Sequence, residues 1–149
     1  MTIFKSAVFS ILLVISFASC KPGPEKRETL RSREKAGHKL NNIWILEELE
    51  GVKINEKDFG TELPNIDTDA AELKFAGFAG CNRIGGKLFL EKKLLRFIDI
   101  STTEMMCPNY SQERKLVLVL QNATHYEIKN NRLYLFNPQE AKAIFRKFD

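Results

Sequence analysis

The sequence predicts a mainly β fold with one helix, built as a closed or nearly closed small antiparallel barrel. From residue 42 onward, the chain is a series of short segments in which apolar and polar residues alternate, separated by Gly, Asn or charged pairs. One segment has helical spacing instead, and the strand–helix–strand rhythm of a parallel sheet is not seen. At 149 residues, the chain is long enough for one domain and too short for two ordinary ones.

The first nineteen residues are predicted to be a signal peptide outside the folded domain. Lys5 precedes AVFSILLVISF, an apolar run shorter than the ~20 residues that a membrane-spanning helix needs. The run ends in FASC, where small Ala18 and Ser19 stand directly before Cys20 in an arrangement that resembles a bacterial lipobox. We therefore expect acylation of Cys20 and a mature chain that begins there, with ordinary signal cleavage nearby as the alternative.

Residues 20–41 are predicted to be a charged, flexible tether. They contain seven Lys or Arg and three Glu, together with two prolines, two glycines and hardly any large apolar residue. The predicted domain, 42–149, holds 15 basic and 16 acidic side chains, and this near neutrality argues against nucleic-acid binding. Lys21, directly after the lipobox cysteine, is similar to the residue in lipoproteins sorted onward to an outer membrane, which is the predicted location.

The first part of the domain predicts one strand and a long loop. Apolar alternation places a strand near residues 43–50, with Trp44 and Leu46 on the face that we expect to be buried. The next residues, 51–70, are mostly polar and predict a loop, with an optional short strand around residues 52–54.

The remaining strands are predicted as two hairpins flanked by single strands. Residues 71–77 form one strand, and KLFLEKKLLRFIDI forms a hairpin that turns around residues 91–93. HYEIKNNRLYLF forms the clearest hairpin, because Asn130 and Asn131 tolerate the positive φ of a two-residue turn. AKAIFRKF is the last strand.

Residues 108–123, PNYSQERKLVLVLQNA, predict the one substantial helix. Asn109 stands at the capping position with Gln112 three residues later, and Leu116 and Leu120 follow at helical spacing. The VLVL stretch taken alone is equally compatible with a strand.

The glycine-rich stretch FAGFAGCNRIGG, residues 75–86, is the main candidate for a functional site. As a phosphate loop it has Gly80 and Gly85 at the right separation, but Gly86 replaces the required lysine, and the residues that follow continue as a strand. As a barrel corner, its glycines would mark bends or close backbone approaches, and Asn82 would hold a positive φ or bond back to the chain. The second interpretation accounts for more of the residues.

Catalytic and metal chemistry are poorly supported by the remaining residues. A thiol nucleophile at Cys81 with His125 as its base lacks the charge cluster that activates such a thiol. Cys81, Cys107 and His125 do not have the paired spacing of zinc ligands. We therefore predict no catalytic residue, no metal site and no cofactor.

Two motifs resemble the META domain family, to which heat-shock lipoproteins of the HslJ type belong. The patterns are GxxGCNxxxG and TxMxCP, and their residues are Gly77, Gly80, Cys81, Asn82, Gly86, Thr103, Met105, Cys107 and Pro108. The order of the strands and of the helix also fits, so the resemblance spans about residues 42–148. It implies a small lipocalin-like barrel and an envelope location, and it supplies no established catalytic residues.

The cysteine count adds a predicted disulfide. With Cys20 acylated, Cys81 and Cys107 remain as an even pair in an oxidising compartment, where they are available to each other. Two buried free thiols are the alternative, since free cysteines pack as small apolar residues.

The leading hypothesis is a non-catalytic envelope lipoprotein that acts in stress response or maintenance by binding or structure. The expected partners are the membrane, through the N-terminal lipid, and a protein or small ligand of undetermined identity. The alternative is a small-ligand carrier, which requires a cavity of at least ~300 Å³ lined by interior Phe and Leu. A thiol enzyme is the third possibility and requires a reactive Cys81.

Overall fold

The computed structural model describes residues 37–55, 57, 59, 62–106, 110–138 and 140–148, so the predicted signal peptide, Cys20 and Cys107 lie outside it. Its strands are β1 (Asn42–Leu49), β2 (Val52–Lys53), β3 (Asn65–Asp69), β4 (Lys74–Phe78), β5 (Arg83–Glu91), β6 (Leu94–Thr102), β7 (His125–Lys129), β8 (Arg132–Phe136) and β9 (Ala141–Lys147). The helix α1 (Tyr110–Asn122) lies between β6 and β7 in the chain.

The strands form one antiparallel sheet that closes into a ring. The strand order is β2-β1-β3-β4-β5-β6-β7-β8-β9, and β1 also pairs with β9 on its other edge. Within the described residues, β6 and β7 share a single residue pair, Leu94 with His125, and α1 packs against β6 beyond it. The predicted fold class, a mainly β small antiparallel barrel with one helix, is confirmed.

The ring has two ends, because consecutive antiparallel strands turn at alternate ends. We call one the tether end; it holds helical residues 37–40 and the turns at 70–73, 92–93 and 130–131. We call the other the motif end; it holds the corner at 79–82, the loop at 103–106 and the start of α1.

The interior of the ring is filled by one continuous apolar core. Trp44 and Leu46 point inward from β1 and are both buried, which confirms the predicted burial of the tryptophan ring. The indole Nε1 of Trp44 donates a hydrogen bond to the Leu40 carbonyl at 2.9 Å. The rings of Phe75 and Phe97 meet edge to face with their centroids 5.0 Å apart, an arrangement that aromatic pairs favour.

Both predicted hairpins are confirmed. Lys92 and Lys93 connect β5 to β6, and Asn130 and Asn131 connect β7 to β8. The two asparagines have φ values of 52° and 57°, the left-handed conformation that a two-residue hairpin turn requires.

The segment 51–70 contains more regular structure than the predicted loop. The optional short strand is present as β2, but β3 was not predicted. The inward residues of β3 are Ile66 and Thr68, and its other three residues are Asn or Asp. Because β3 pairs with β1 on one edge and with β4 on the other, backbone hydrogen bonds override the weak strand preference of these polar residues.

The folded unit begins earlier than the predicted start at residue 42. Residues 37–40 are helical, and Leu40 is fully buried against the core. Its carbonyl oxygen accepts hydrogen bonds from the Trp44 indole and, at 2.5 Å, from the Thr68 hydroxyl. A single leucine in a charged segment gives no periodic pattern, so Leu40 was predicted to belong to the tether.

The predicted helix is confirmed as α1, which begins at Tyr110 and ends at Asn122. Its inner face includes the buried residues Leu116 and Leu120. The predicted capping residue, Asn109, lies outside the described residues. In the part of the chain that the structure describes, no helix has the length and apolar character needed to cross a bilayer.

Candidate functional site

The glycine-rich stretch forms a bend between two strands at the motif end. β4 ends at Phe78, and β5 begins at Arg83 and runs through Gly85 and Gly86. A phosphate loop requires a helix N-terminus directly after its glycines, where the amide groups meet the anion. Here a strand follows, so the geometry agrees with a barrel corner and not with a phosphate site.

Three motif glycines lie where a side chain would have no room. A methyl group on Gly77 would overlap the carbonyl oxygen of Asn65, and one on Gly86 would come within 2.7 Å of a carbonyl oxygen on β6. Gly80 has a φ of 117°, and a methyl group there would meet the ring of Phe59. Close backbone approach therefore explains Gly77 and Gly86, and the positive φ together with the Phe59 ring explains Gly80.

Asn82 is the centre of a buried polar network at this corner, and its side chain is 1% exposed. Its Oδ1 accepts hydrogen bonds from the Thr103 hydroxyl at 2.9 Å and from the Met105 N–H at 2.7 Å. Its Nδ2 donates to Glu113 Oε1 at 2.8 Å and, over a longer 3.4 Å, to the Met105 carbonyl. Its own N–H donates to Glu113 Oε2 at 2.7 Å. These four residues, which we call the Asn82 network, join the corner to the loop and to α1.

Glu113 is the member of the network that the sequence prediction missed. It lies in the first turn of α1, where the helix dipole favours a negative charge, and it is 4% exposed. Its position three residues before Leu116 and seven before Leu120 places it on the buried helix face, so its burial could be predicted. Its pairing with an asparagine 31 positions away could not, because periodicity carries no information on contacts between distant segments.

The second motif begins in the loop that Asn82 holds. The Thr103 N–H donates to the Arg83 carbonyl at 3.0 Å, and the Arg83 N–H donates to the Thr103 hydroxyl at 3.1 Å. Cys81 is disulfide-bonded, and its Sγ lies 3.8 Å from the Met105 carbonyl. A bridged sulfur has no proton to donate, so this is a contact and not a hydrogen bond. The predicted partner, Cys107, lies outside the described residues, and the pairing stays a prediction.

An open cleft of about 430 Å³ lies over the Asn82 network. Asn82 and Glu113 belong to its polar floor, and Arg114 belongs to its rim. Met105 is 61% exposed and Met106 fully exposed beside it. Methionine side chains are flexible and polarizable, and they are common at surfaces that bind apolar groups of varied shape.

The catalytic pair of the thiol-enzyme hypothesis is not brought together. His125 pairs with Leu94 at the start of β6, whereas Cys81 lies beside Met105, just beyond the end of that strand. At about 3.3 Å per residue, β6 separates the two by roughly 25 Å. His125 forms a 2.9 Å hydrogen bond with the Thr124 hydroxyl instead. Among the residues described, no group of three His, Cys, Asp or Glu side chains is placed to hold a metal ion.

Comparison with known proteins gives a family and a fold. The family model described as META domain matches residues 38–148, while no curated protein matches the chain. An NMR structure of a protein from Burkholderia xenovorans is similar at a TM-score of 0.60 and 17% identity, covering 98% of this chain and 99% of that one. A second NMR structure is similar at a TM-score of 0.58 and 19% identity, covering 72% and 90%. At these identities the two structures support the fold alone, and the family model, which matches most of the sequence, shows that the chain belongs to the META domain family.

Proposed function

We propose that this chain is a lipid-anchored envelope protein whose META domain acts by binding, without catalysis, in stress response or envelope maintenance. The acyl group on Cys20 anchors the protein in the outer membrane, and the charged tether links that anchor to the domain. The binding surface is the cleft at the motif end, and its occupant is a partner protein that presents apolar side chains.

The proposal rests on the hydrogen bonds that the polar groups in the cleft already make. A catalytic acid, base or nucleophile must reach the substrate with its reactive atom. Asn82, Thr103 and Glu113 instead direct their polar side-chain atoms at one another and at the backbone. Met105 and Met106 expose their side chains over this network and suit apolar contact, and Glu104 and Arg114 add exposed charged groups to the same cleft.

A carrier with its ligand inside the barrel is less well supported. That function needs an interior cavity lined by Phe and Leu. Phe75, Leu88, Phe97, Leu133 and Phe145 are all buried members of one packed core. The clefts of about 350 to 630 Å³ in the described residues open at the surface, and each has polar or charged residues in its lining.

The proposal is tested by complementation of a deletion strain, with uptake of a hydrophobic fluorescent dye after heat shock as the measure of envelope integrity. We expect the unaltered gene to restore integrity. Cys20→Ala should fail because the protein leaves the membrane fraction, and Met105→Asp combined with Met106→Asp should fail because charged side chains repel an apolar partner. The matched control is Val52→Asp combined with Leu118→Asp, which places two charges at exposed apolar residues that do not line the cleft.

Each part of the proposal has its own contrary result. An unacylated Cys20 by mass spectrometry, or a Cys20→Ala protein still in the membrane fraction, refutes the lipid anchor. Full restoration by the double methionine variant refutes the cleft as the binding surface. Failure of the unaltered gene to restore integrity refutes the envelope role.

A further inference from the structure

The tether end presents a set of lysines that have no carboxylate partner. They are Lys39 in the helical turn, Lys92 and Lys93 between β5 and β6, Lys129 at the end of β7 and Lys147 at the end of β9. Four are exposed and Lys147 is half-buried. The ion pairs in the described part of the chain involve other residues, so none of these five ammonium groups is within ion-pair distance of a carboxylate there.

Negative charges at the tether end are fewer and partly engaged. The carboxylate of Glu72 pairs with Lys74 at 3.7 Å, and that of Asp69 accepts 2.9 Å hydrogen bonds from the N–H groups of Ala71 and Glu72. Three more exposed carboxylates lie near this end: Glu91 before the turn at 92–93, Glu127 two residues before Lys129, and Asp67, which pairs with Ile43. The motif end, in contrast, mixes both signs: Glu50, Glu62, Glu104 and Glu140 with Lys57, Arg114 and Lys142. A nearly neutral domain is therefore polarised, with its positive pole at the tether end.

Two exposed apolar side chains lie beside the lysines. Phe148, directly after Lys147, is 55% exposed, and its N–H donates to the carbonyl of Ile43, which is 41% exposed. An exposed aromatic ring next to a lysine is typical of surfaces at a membrane interface, where the ring enters the headgroup region and the ammonium group meets anionic lipid.

The chain leaves the domain at this same end. Leu40 is fixed in the core, and the predicted tether joins the domain at the helical residues 37–40. The residues from 20 to 36 reach at most about 60 Å when fully extended, which allows contact with the membrane but does not impose an orientation. A surface that is held so close needs only weak attraction to stay docked, since the anchor keeps its local concentration high.

We propose that the tether end docks on a membrane surface of anionic lipid headgroups through the five lysines together with Phe148 and Ile43. In the cell, this docking rests on the lipid anchor of the proposed function. Lysines are attracted to such a surface within about a Debye length, roughly 8 Å at physiological salt. Docking orients the sheet with its tether end on the membrane. The cleft at the motif end then faces away from the membrane and is open to a partner.

The test uses the mature chain from residue 20 with Cys20→Ser, which cannot be acylated, so its outcome does not depend on whether the natural protein carries a lipid. We measure its partition into vesicles of phosphatidylcholine with about one-third phosphatidylglycerol and into vesicles of phosphatidylcholine alone. We expect binding to the anionic vesicles that weakens as salt is raised. No binding beyond that to the neutral vesicles overturns the proposal.

Charge-reversal variants distinguish membrane binding by the domain from membrane binding by the basic tether, which all variants retain. Lys93→Glu combined with Lys129→Glu should lower the partition coefficient about tenfold or more. The control, Arg114→Glu combined with Lys115→Glu, makes the same charge change at exposed residues of α1 and should stay within about twofold of the parent. Equal partition of the two double variants would mean that the tether alone binds, which overturns docking of the domain. Thermal unfolding of each variant checks that the fold is intact.

Orientation is measured by NMR with a paramagnetic lipid in the vesicles. Amide signals at 92–93 and 130–131 should broaden, whereas those at 104–106 should not. Phe148→Ser should reduce the partition without changing its dependence on salt, because it removes the apolar contact alone. Broadening first at the motif end would show that the opposite face meets the membrane and would overturn the proposal.

Discussion

Replacing Asn82 by alanine is the sharpest test of the polar network at the motif end. The substitution removes both side-chain polar atoms and leaves the backbone, including the N–H that donates to Glu113, in place. Three short hydrogen bonds are lost, at 2.7, 2.8 and 2.9 Å. The corner, the loop and the helix then keep their chain connections but lose the group that links them.

The cost follows from the burial of the groups left behind. Glu113 Oε1 belongs to a buried carboxyl group, so losing its donor costs about 1.5 to 3 kcal/mol. The Thr103 hydroxyl and the Met105 N–H belong to residues that are exposed, so water replaces much of what they lose and each costs roughly 0.5 to 1 kcal/mol. We therefore expect Asn82→Ala to lower the free energy of unfolding by about 2.5 to 5 kcal/mol.

The assay is equilibrium unfolding in urea under oxidising conditions, followed by the fluorescence of Trp44. The control is Asn65→Ala, which removes an asparagine whose Nδ2 donates to Glu62 at 3.0 Å and to the Leu63 carbonyl at 3.3 Å near the surface. We expect the control to cost less than about 1 kcal/mol, since solvent replaces its partners. A double-mutant cycle of Asn82→Ala with Glu113→Ala should give a coupling of about 1.5 to 3 kcal/mol.

Two results would refute this reasoning. A cost for Asn82→Ala no larger than that of the Asn65 control would mean that the network does not hold the corner. Additive costs in the double-mutant cycle, within about 0.5 kcal/mol, would mean that Asn82 and Glu113 do not depend on each other.

Three further predictions concern packing and covalent structure. Trp44→Ala should cost about 3 to 5 kcal/mol, and the native fluorescence maximum should be that of a buried indole; a water-exposed maximum would contradict it. Gly77→Ala should cost at least about 1 to 3 kcal/mol because its methyl group would overlap a backbone carbonyl, and an unchanged urea midpoint would argue against that contact. Thiol titration in denaturant without reductant should find Cys81 and Cys107 unreactive and the bridge worth roughly 3 to 4 kcal/mol, whereas two reactive sulfurs would exclude it.

The parts of the fold that could be predicted from the sequence are those that local chemistry decides. The turn at Asn130 and Asn131 follows from residues that tolerate positive φ between two alternating segments. The buried face of β1 follows from the spacing of Trp44 and Leu46. β3 could not be predicted, because its strand conformation comes from pairing partners on both edges and not from its own polar residues.

The candidate site likewise has parts that could be predicted from the sequence and parts that could not. A strand bend at Gly80 could be inferred because glycine clusters break regular strands. That Asn82 meets Glu113 could not, since this contact joins the corner to a helix residue 31 positions away. The β5–β6 hairpin brings the start of β5 next to the end of β6, so the closeness of Asn82 to Thr103 follows from the predicted hairpin, whereas the place of α1 at this corner does not.

Met105 shows how one corner can serve both the fold and recognition. Its backbone belongs to the Asn82 network through the N–H that donates to Asn82 Oδ1 at 2.7 Å, whereas its side chain stands in the cleft with most of its surface exposed. A side-chain change at this position leaves the backbone bond in place, so it alters the cleft surface while the corner keeps its shape. Substitutions at Asn82 have the opposite effect. They disturb the structure of the corner, and they alter the cleft surface only as a consequence. Loss of stability should therefore follow the buried residues, and loss of binding should follow the methionines, so the two roles can be separated in one set of variants.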